Sequence, residues 1–186
     1  MTEPVRVTEP LNFFKEQWYI DWVHKVGRTE ANKIGKQAMA IGTRVDELIK
    51  TGGLPSVKDK MEVHTCFAAF NKWRSLYTPL VVENGIRLFK SIEEVEVTGE
   101  PDLFVDDVLV DIKCSSKINK SYWIQVNMYR QLHGSTGKVA ILRLDKTTGS
   151  FEYVVKEHDP FLCGVWLGMC RAMLYLKGDD NDGDEL

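Results

Sequence analysis

The sequence predicts a mixed α/β fold, a central mixed β-sheet flanked by helices, with a helical N-terminal part. Three observations carry this. Ala31, Ile34, Ala38, Ile41, Val45 and Leu48 step by 3, 4, 3, 4 and 3, the period of one buried stripe on a helix. After Pro79 the helical period gives way to short β-rich runs, among them PDLFV and VLVDIK. The run KVAILRL, residues 138–144, has the character of a strand covered on both faces.

Taken in order, residues 11–26 mix aromatic and polar side chains in a helical manner, with Phe14, Trp18 and Trp22 at i, i+4 and i+8. That stripe is assigned to core packing rather than to a base-stacking platform, because helical spacing on one face is what burial requires. The helix through residues 31–48 ends at Thr51-Gly52-Gly53, where glycine is the expected cap. A second helix is expected over about 58–77, between Pro55 and Pro79. Then come a hairpin-like turn at Glu83–Gly85 and the alternating strand EEVEVT. Two β-rich runs follow around Asp106-Asp107, then a helix ending near Gly134. KVAILRL and its partner FEYVV come next, and a helix from about Asp159 closes the order.

No repeat, linker or low-complexity tract divides the 186 residues, so one domain over 1–176 and an acidic, disordered tail over 177–186 are expected. A hydrophobic content of 44% with five Trp and eight Phe supports a real core. The last eight residues hold five acids and no base, and taking those five charges from the net −3 leaves +2. The overall sign therefore does not exclude a nucleic-acid partner. Cys66, Cys114, Cys163 and Cys170 form no CxxC pair and have no histidine at ligand spacing, so neither zinc nor an iron–sulfur cluster is expected. The polar N-terminus is no signal peptide, and the apolar stretch 161–176 is too short to span a membrane and contains Arg171. A cytoplasmic protein without membrane contact is expected.

The chemistry concentrates in GEPDLFVDDVLVDIK, residues 99–113. If Asp106 and Asp107 form a two-residue turn, Val105 faces Val108, Phe104 faces Leu109, and Asp102 faces Asp111. Lys113, two residues beyond Asp111, projects from the same face. Opposed carboxylates repel unless something compensates. Mg²⁺ or Mn²⁺ does so best, acting as a Lewis acid on a phosphate and acidifying a water, with the lysine offsetting charge on the phosphoryl oxygens. The competing assignment is a pair of solvated strand-end acids with Lys113 bound to one of them. The spacing alone leaves both open.

These residues also resemble a known family. Gly99-Glu-Pro-Asp102, Asp111-Ile-Lys113 and Gln125-Val-Asn-Met-Tyr129 resemble the PD-(D/E)XK nuclease superfamily, above all its RecB-like and phage-type exonuclease branch. Residues 40–49 resemble that branch's first motif, and Val81-Val82-Glu83 the strand entering its core. The resemblance spans roughly residues 30–135 and implies a restriction-endonuclease-like core. It implies that Asp102, Asp111 and Lys113 are catalytic, and that Asp102 and Asp111 bind metal. Asp46 stands where the branch has a metal-binding histidine; an acid there slightly favours magnesium, with an exposed acid beside buried Val45 as the alternative. Gly42, one turn earlier, would leave room beside the site. Glu83 is either a further acid or a turn residue. Gln125 and Tyr129, one helical turn apart, are expected to help place DNA and the lysine. Lys117 and Lys120 are read as phosphate contacts, with solvated surface nearly as good an account. The implied function is a metal-dependent nuclease acting on duplex or single-stranded DNA, an exonuclease of phage or bacterial recombination type. A recombination or single-strand-annealing partner protein goes with it, in a bacterial or host cytoplasm. A restriction or resolvase-type endonuclease and a binding module with an inactive site are the alternatives.

Overall fold

The computed structural model describes residues 3–79, 81–134 and 137–179, without the side chains of 81–83, 178 and 179. In chain order the elements are β1 (Val5–Arg6), α1 (Thr8–Phe13), α2 (Gln17–Val26), α3 (Arg28–Thr51), α4 (Met61–Tyr77), β2 (Val81–Asn84), β3 (Leu88–Ile92) and β4 (Val95–Gly99). They continue with β5 (Leu103–Val105), β6 (Val108–Cys114), α5 (Lys120–His133), β7 (Lys138–Leu144), β8 (Phe151–Glu157) and α6 (Pro160–Asp179). Of the expected tail, Lys177–Asp179 belongs to α6, and 180–186 lies outside the described residues.

The strands form two sheets. The larger has the order β2-β5-β6-β7-β8 and is mixed, since β6 and β7 run parallel while its other neighbours are antiparallel. The smaller has the order β1-β4-β3. The expected hairpin around Glu83–Gly85 is therefore corrected: β2 and β3 are consecutive but lie in different sheets. What pairs β3 is β4, across Glu93-Glu94, both at positive φ. A two-residue turn at those positions matches strand twist, whereas the chain between β2 and β3 carries it from one sheet to the other.

β7 lies inside the sheet between β6 and β8, with Val139, Ala140, Ile141, Leu142 and Leu144 all buried. Its two faces feed two cores. Ala140, Leu142 and Leu144 pack with Val110 against α3 and α4 through Val45, Leu48, Cys66 and Trp73. Val139 and Ile141 pack with Leu109 against α5 and α6 through Met128, Trp166 and Met173. That sandwiching explains a strand apolar on both faces. Gly52, at φ 67, adopts the left-handed cap that ends α3.

Helical period overstated burial at the N-terminus. The expected 11–26 helix is broken between Phe13 and Gln17, and α2 has no buried residue. Phe14 is 39% and Trp18 42% exposed. The first turns of α3 likewise leave Ile34 39% exposed, although Ala31, Ile41, Val45 and Leu48 are buried. An amphipathic face records that a helix has an apolar side, not that another element covers it.

Candidate functional site

The hairpin that carries the acids has the register expected from a two-residue turn: Val105 pairs Val108, Phe104 pairs Leu109 and Leu103 pairs Val110. Asp106 and Asp107 take φ values of 48° and 62°, the left-handed pair that such a turn demands. Aspartate tolerates this conformation better than most residues, and Arg130 of α5, whose Nη2 lies 3.0 Å from Oδ1, also contacts Asp107. Backbone pairing stops at Leu103, and Asp102 replaces the next rung with its side chain. Its Oδ2 accepts the Ile112 N–H at 2.6 Å.

Asp111 is 1% exposed, and Lys113 reaches back to it. Lys113 Nζ donates to Asp111 Oδ1 at 3.0 Å and lies 2.8 Å from Oδ2, an ionic contact without hydrogen-bond geometry. Burial and the neighbouring Asp111 charge push the Asp102 carboxyl up to about 7. Burial likewise raises Asp111, against the opposing pull of Lys113. Burial alone would lower Lys113, but the Asp111 and Asp102 carboxylates hold its ammonium above the usual lysine range.

Asp102, Asp111 and Lys113 line one cleft of about 440 Å³ with Asp46, Gly42 and Gln125. Asp46 comes from α3, which passes over the end of β6. Its Oδ2 is 3.0 Å from Lys50 Nζ, and Lys50 Nζ lies 2.7 Å from Glu100 Oε1. Its Oδ1 is buried and accepts no hydrogen bond from the described residues. Gly42 faces open space: a Cβ there would meet nothing within 4 Å. The room beside the cleft therefore does not depend on a tight approach at this position.

Gln125 and Tyr129 share a face of α5, and Gln125 Nε2 donates to the Tyr129 hydroxyl at 3.0 Å. Burial and Asp111 raise the Tyr129 phenol above its ordinary range. Gln125 lines the cleft, whereas Tyr129 lines the neighbouring cavity with Arg6, Arg87 and Gly99. A Cβ on Gly99 would stand 2.5 Å from Tyr129 Cε1, so the glycine of GEPD is where the ring passes. Lys117 does not line the cleft of the acids; its Nζ lies 4.3 Å from the centre of the Trp18 ring. The side chain of Glu83 lies outside the described residues; its backbone is in β2, paired with Phe104.

Some neighbours of the cleft carried no sequence signal. Lys50 and Glu100 meet across 50 positions of chain, and Tyr122 places its ring 5.3 Å from Lys113 Nζ. Only the i,i+4 spacing of Asp46 and Lys50 was available to flag the first of these.

The donors suit a hard cation in kind. They are carboxylate oxygens, and two of them, Asp46 Oδ1 and Asp111 Oδ2, are buried without a hydrogen-bond donor. They are not assembled into a ready cage: among the described residues no group of three or more His, Cys, Asp or Glu is arranged to hold a metal ion. Also among the described residues, no helix is long and apolar enough to cross a membrane.

Neither a family model nor a curated protein sequence matches the chain. Solved structures do. An alkaline exonuclease from Laribacter hongkongensis superposes with a TM-score of 0.52 at 15% identity, covering 96% of this chain and 94% of its own. The chain shares the fold of that solved structure. A phage-related exonuclease from Haemophilus somnus 129PT gives 0.50 at 15% identity, covering 92% of both chains. The protein SSO0001 gives 0.56 at 9% identity, covering 95% of this chain and 77% of its own. The expected restriction-endonuclease-like α/β architecture is thus observed, as a mixed five-stranded sheet between helices with a second small sheet beside it.

Proposed function

We propose that this protein is a divalent-metal-dependent nuclease that hydrolyses DNA phosphodiester bonds, and that it acts as an exonuclease. The observation that carries the proposal is the buried Asp111–Lys113 pair. It stands beside Asp102 at the end of a hairpin, in a cleft with unsatisfied carboxylate oxygens. An interaction domain gains nothing from burying such a cluster, whose ionisation burial opposes.

In this proposal Asp102 and Asp111 would hold Mg²⁺ or Mn²⁺, with Asp46, here ion-paired to Lys50, as a third ligand; the bound cation would supply Lewis acidity toward the scissile phosphate and acidify a water. Lys113 would orient the attacking water and offset the charge that builds on the phosphoryl oxygens. Asp111 and Asp102 keep Lys113 in its ammonium form, the form that can donate to a substrate oxygen. Asp102 is kept in place by the Ile112 N–H. Gln125 contacts the substrate from the cleft wall, and Tyr129 acts through Gln125 by fixing its amide. Cytoplasmic work on DNA ends, beside a recombination or strand-annealing partner, is the setting proposed.

Linear duplex, circular duplex and single-stranded DNA incubated with Mg²⁺ or Mn²⁺, with Lys113→Ala as control, test this. Metal-dependent loss of linear but not circular DNA is expected. Cleavage of none of the three by the wild type would sink the enzyme, and equal cutting of circles would remove the exonuclease label. That the described residues hold no preassembled acid cage favours one second reading, a DNA-binding module with an inactive site, which predicts binding without cleavage.

A further inference from the structure

The aromatic residues on and before α2 pack into neither core. Phe14 and Trp18 are 39% and 42% exposed, and Tyr19 is partly covered. The indole of Trp18 is nonetheless held, since its Nε1 donates to Glu16 Oε2 at 2.9 Å. Two lysines accompany the rings: Lys117 Nζ is 4.3 Å from the Trp18 ring centre, and Lys15 Nζ is 5.6 Å from that of Tyr19. Phe14, Trp18, Tyr19 and Lys15 line a cavity of about 240 Å³ against Tyr122 and Gln125 of α5. Thr8, Tyr122 and Gln125 also line the cleft of Asp102 and Asp111. The aromatic groove and the acid cleft are therefore one continuous surface.

We propose that this groove is a docking platform for an unpaired DNA strand, whose bases stack on Trp18 and Tyr19 while Lys117 and Lys15 meet its phosphates. The proposal rests on the nuclease reading of the adjoining cleft. An unpaired strand alternates apolar base faces with anionic phosphates, which is the pattern that rings interleaved with ammonium groups complement. A duplex hides its base faces and offers no use for exposed indole. Continuity decides the occupant: a strand lying on Trp18 runs on past Tyr122 and Gln125 to the carboxylates.

The test measures binding apart from cleavage. Wild type, Trp18→Ala and Lys117→Ala are titrated in EDTA against a labelled twelve-residue oligothymidylate and a blunt-ended duplex of two annealed strands. Trp18→Ala, being an exposed substitution, is expected to keep its circular dichroism spectrum and to bind the single strand about tenfold more weakly. Its affinity for the blunt duplex should not change. Lys117→Ala should lower the slope of log affinity against log salt by about 0.7. With Mg²⁺ or Mn²⁺, Trp18→Ala should raise KM on single-stranded DNA and leave kcat unchanged. The platform is overturned if Trp18→Ala binds the oligonucleotide as the wild type does, if both DNAs lose affinity equally, or if the wild type binds no single strand. It is also overturned if the substitution instead turns an oligomer into a monomer, which would make this face a contact between copies. A Trp18-dependent single-strand affinity in a protein that cuts no DNA would uphold the platform and sink the nuclease.

Discussion

Removing the charge of Asp102 should make the metal-free protein more stable, in a pH-dependent way that an ordinary surface substitution does not reproduce. The Asp102 carboxyl sits at about 7 in the fold against an ordinary 3.8. The folded state thus holds a proton that the unfolded chain has given up between those values. Stability therefore falls as pH rises from 3.8 toward 7, and the whole cost is present above 7. At about 1.4 kcal/mol for each tenfold change in proton affinity, the full displacement corresponds to ~4 kcal/mol. The asparagine still buries a polar amide there, so about half of that, ~2 kcal/mol, is the gain expected from removing the charge. Asparagine keeps an oxygen for the Ile112 N–H and has no charge to hold beside Asp111. In EDTA at pH 8, Asp102→Asn should raise Tm by about 4–8 °C, and near pH 4 the gain should vanish. Adding Mn²⁺ should reverse the order, because the wild type gains stability from the cation and the variant loses one of its ligands. Differential scanning calorimetry or fluorimetry across pH 4–8, with and without Mn²⁺, reads all of this. A variant no more stable than wild type at pH 8 in EDTA, or one whose gain is the same at every pH, would refute it.

Three further outcomes follow from the same geometry. Lys113→Ala should lower kcat on linear DNA by about 10²-fold or more, the loss seen when a donor to developing negative charge is removed; a near-wild-type rate would remove Lys113 from the chemistry. Lys50→Met removes the cation that ties Asp46 to Glu100, so the Mn²⁺ concentration needed for half of the thermal shift should drop by about two- to fivefold. An unchanged or higher midpoint would mean that Asp46 is not a ligand. Gly99→Ala places a Cβ against the Tyr129 ring and should cost ~1–3 kcal/mol, with stability partly restored by Tyr129→Leu. An unchanged Tm for the single variant would show that the ring shifts freely.

The local part of this design is legible in the sequence. The period-3.6 stripe of α3 around Ile41–Leu48, the apolar run of β7 and the turn chemistry of Asp106-Asp107 each act over a few residues. A two-residue turn also sets cross-strand pairing by counting, so that Asp102, Asp111 and Lys113 fall together before any tertiary contact is known. Tertiary structure alone decided which apolar faces would be covered. α2 has the amphipathic pattern of a core helix and yet buries no residue fully, because burial requires a second element and no local rule says where one will be. The same holds for the surroundings of the acids. Gly99 and Tyr129 are neighbours because β4 and α5 converge, and Lys50, the i+4 partner of Asp46, reaches Glu100 because α3 crosses the sheet end. Chain-local geometry supplied the carboxylates and the lysine, while long-range packing supplied the low-dielectric cleft that gives their charges consequence.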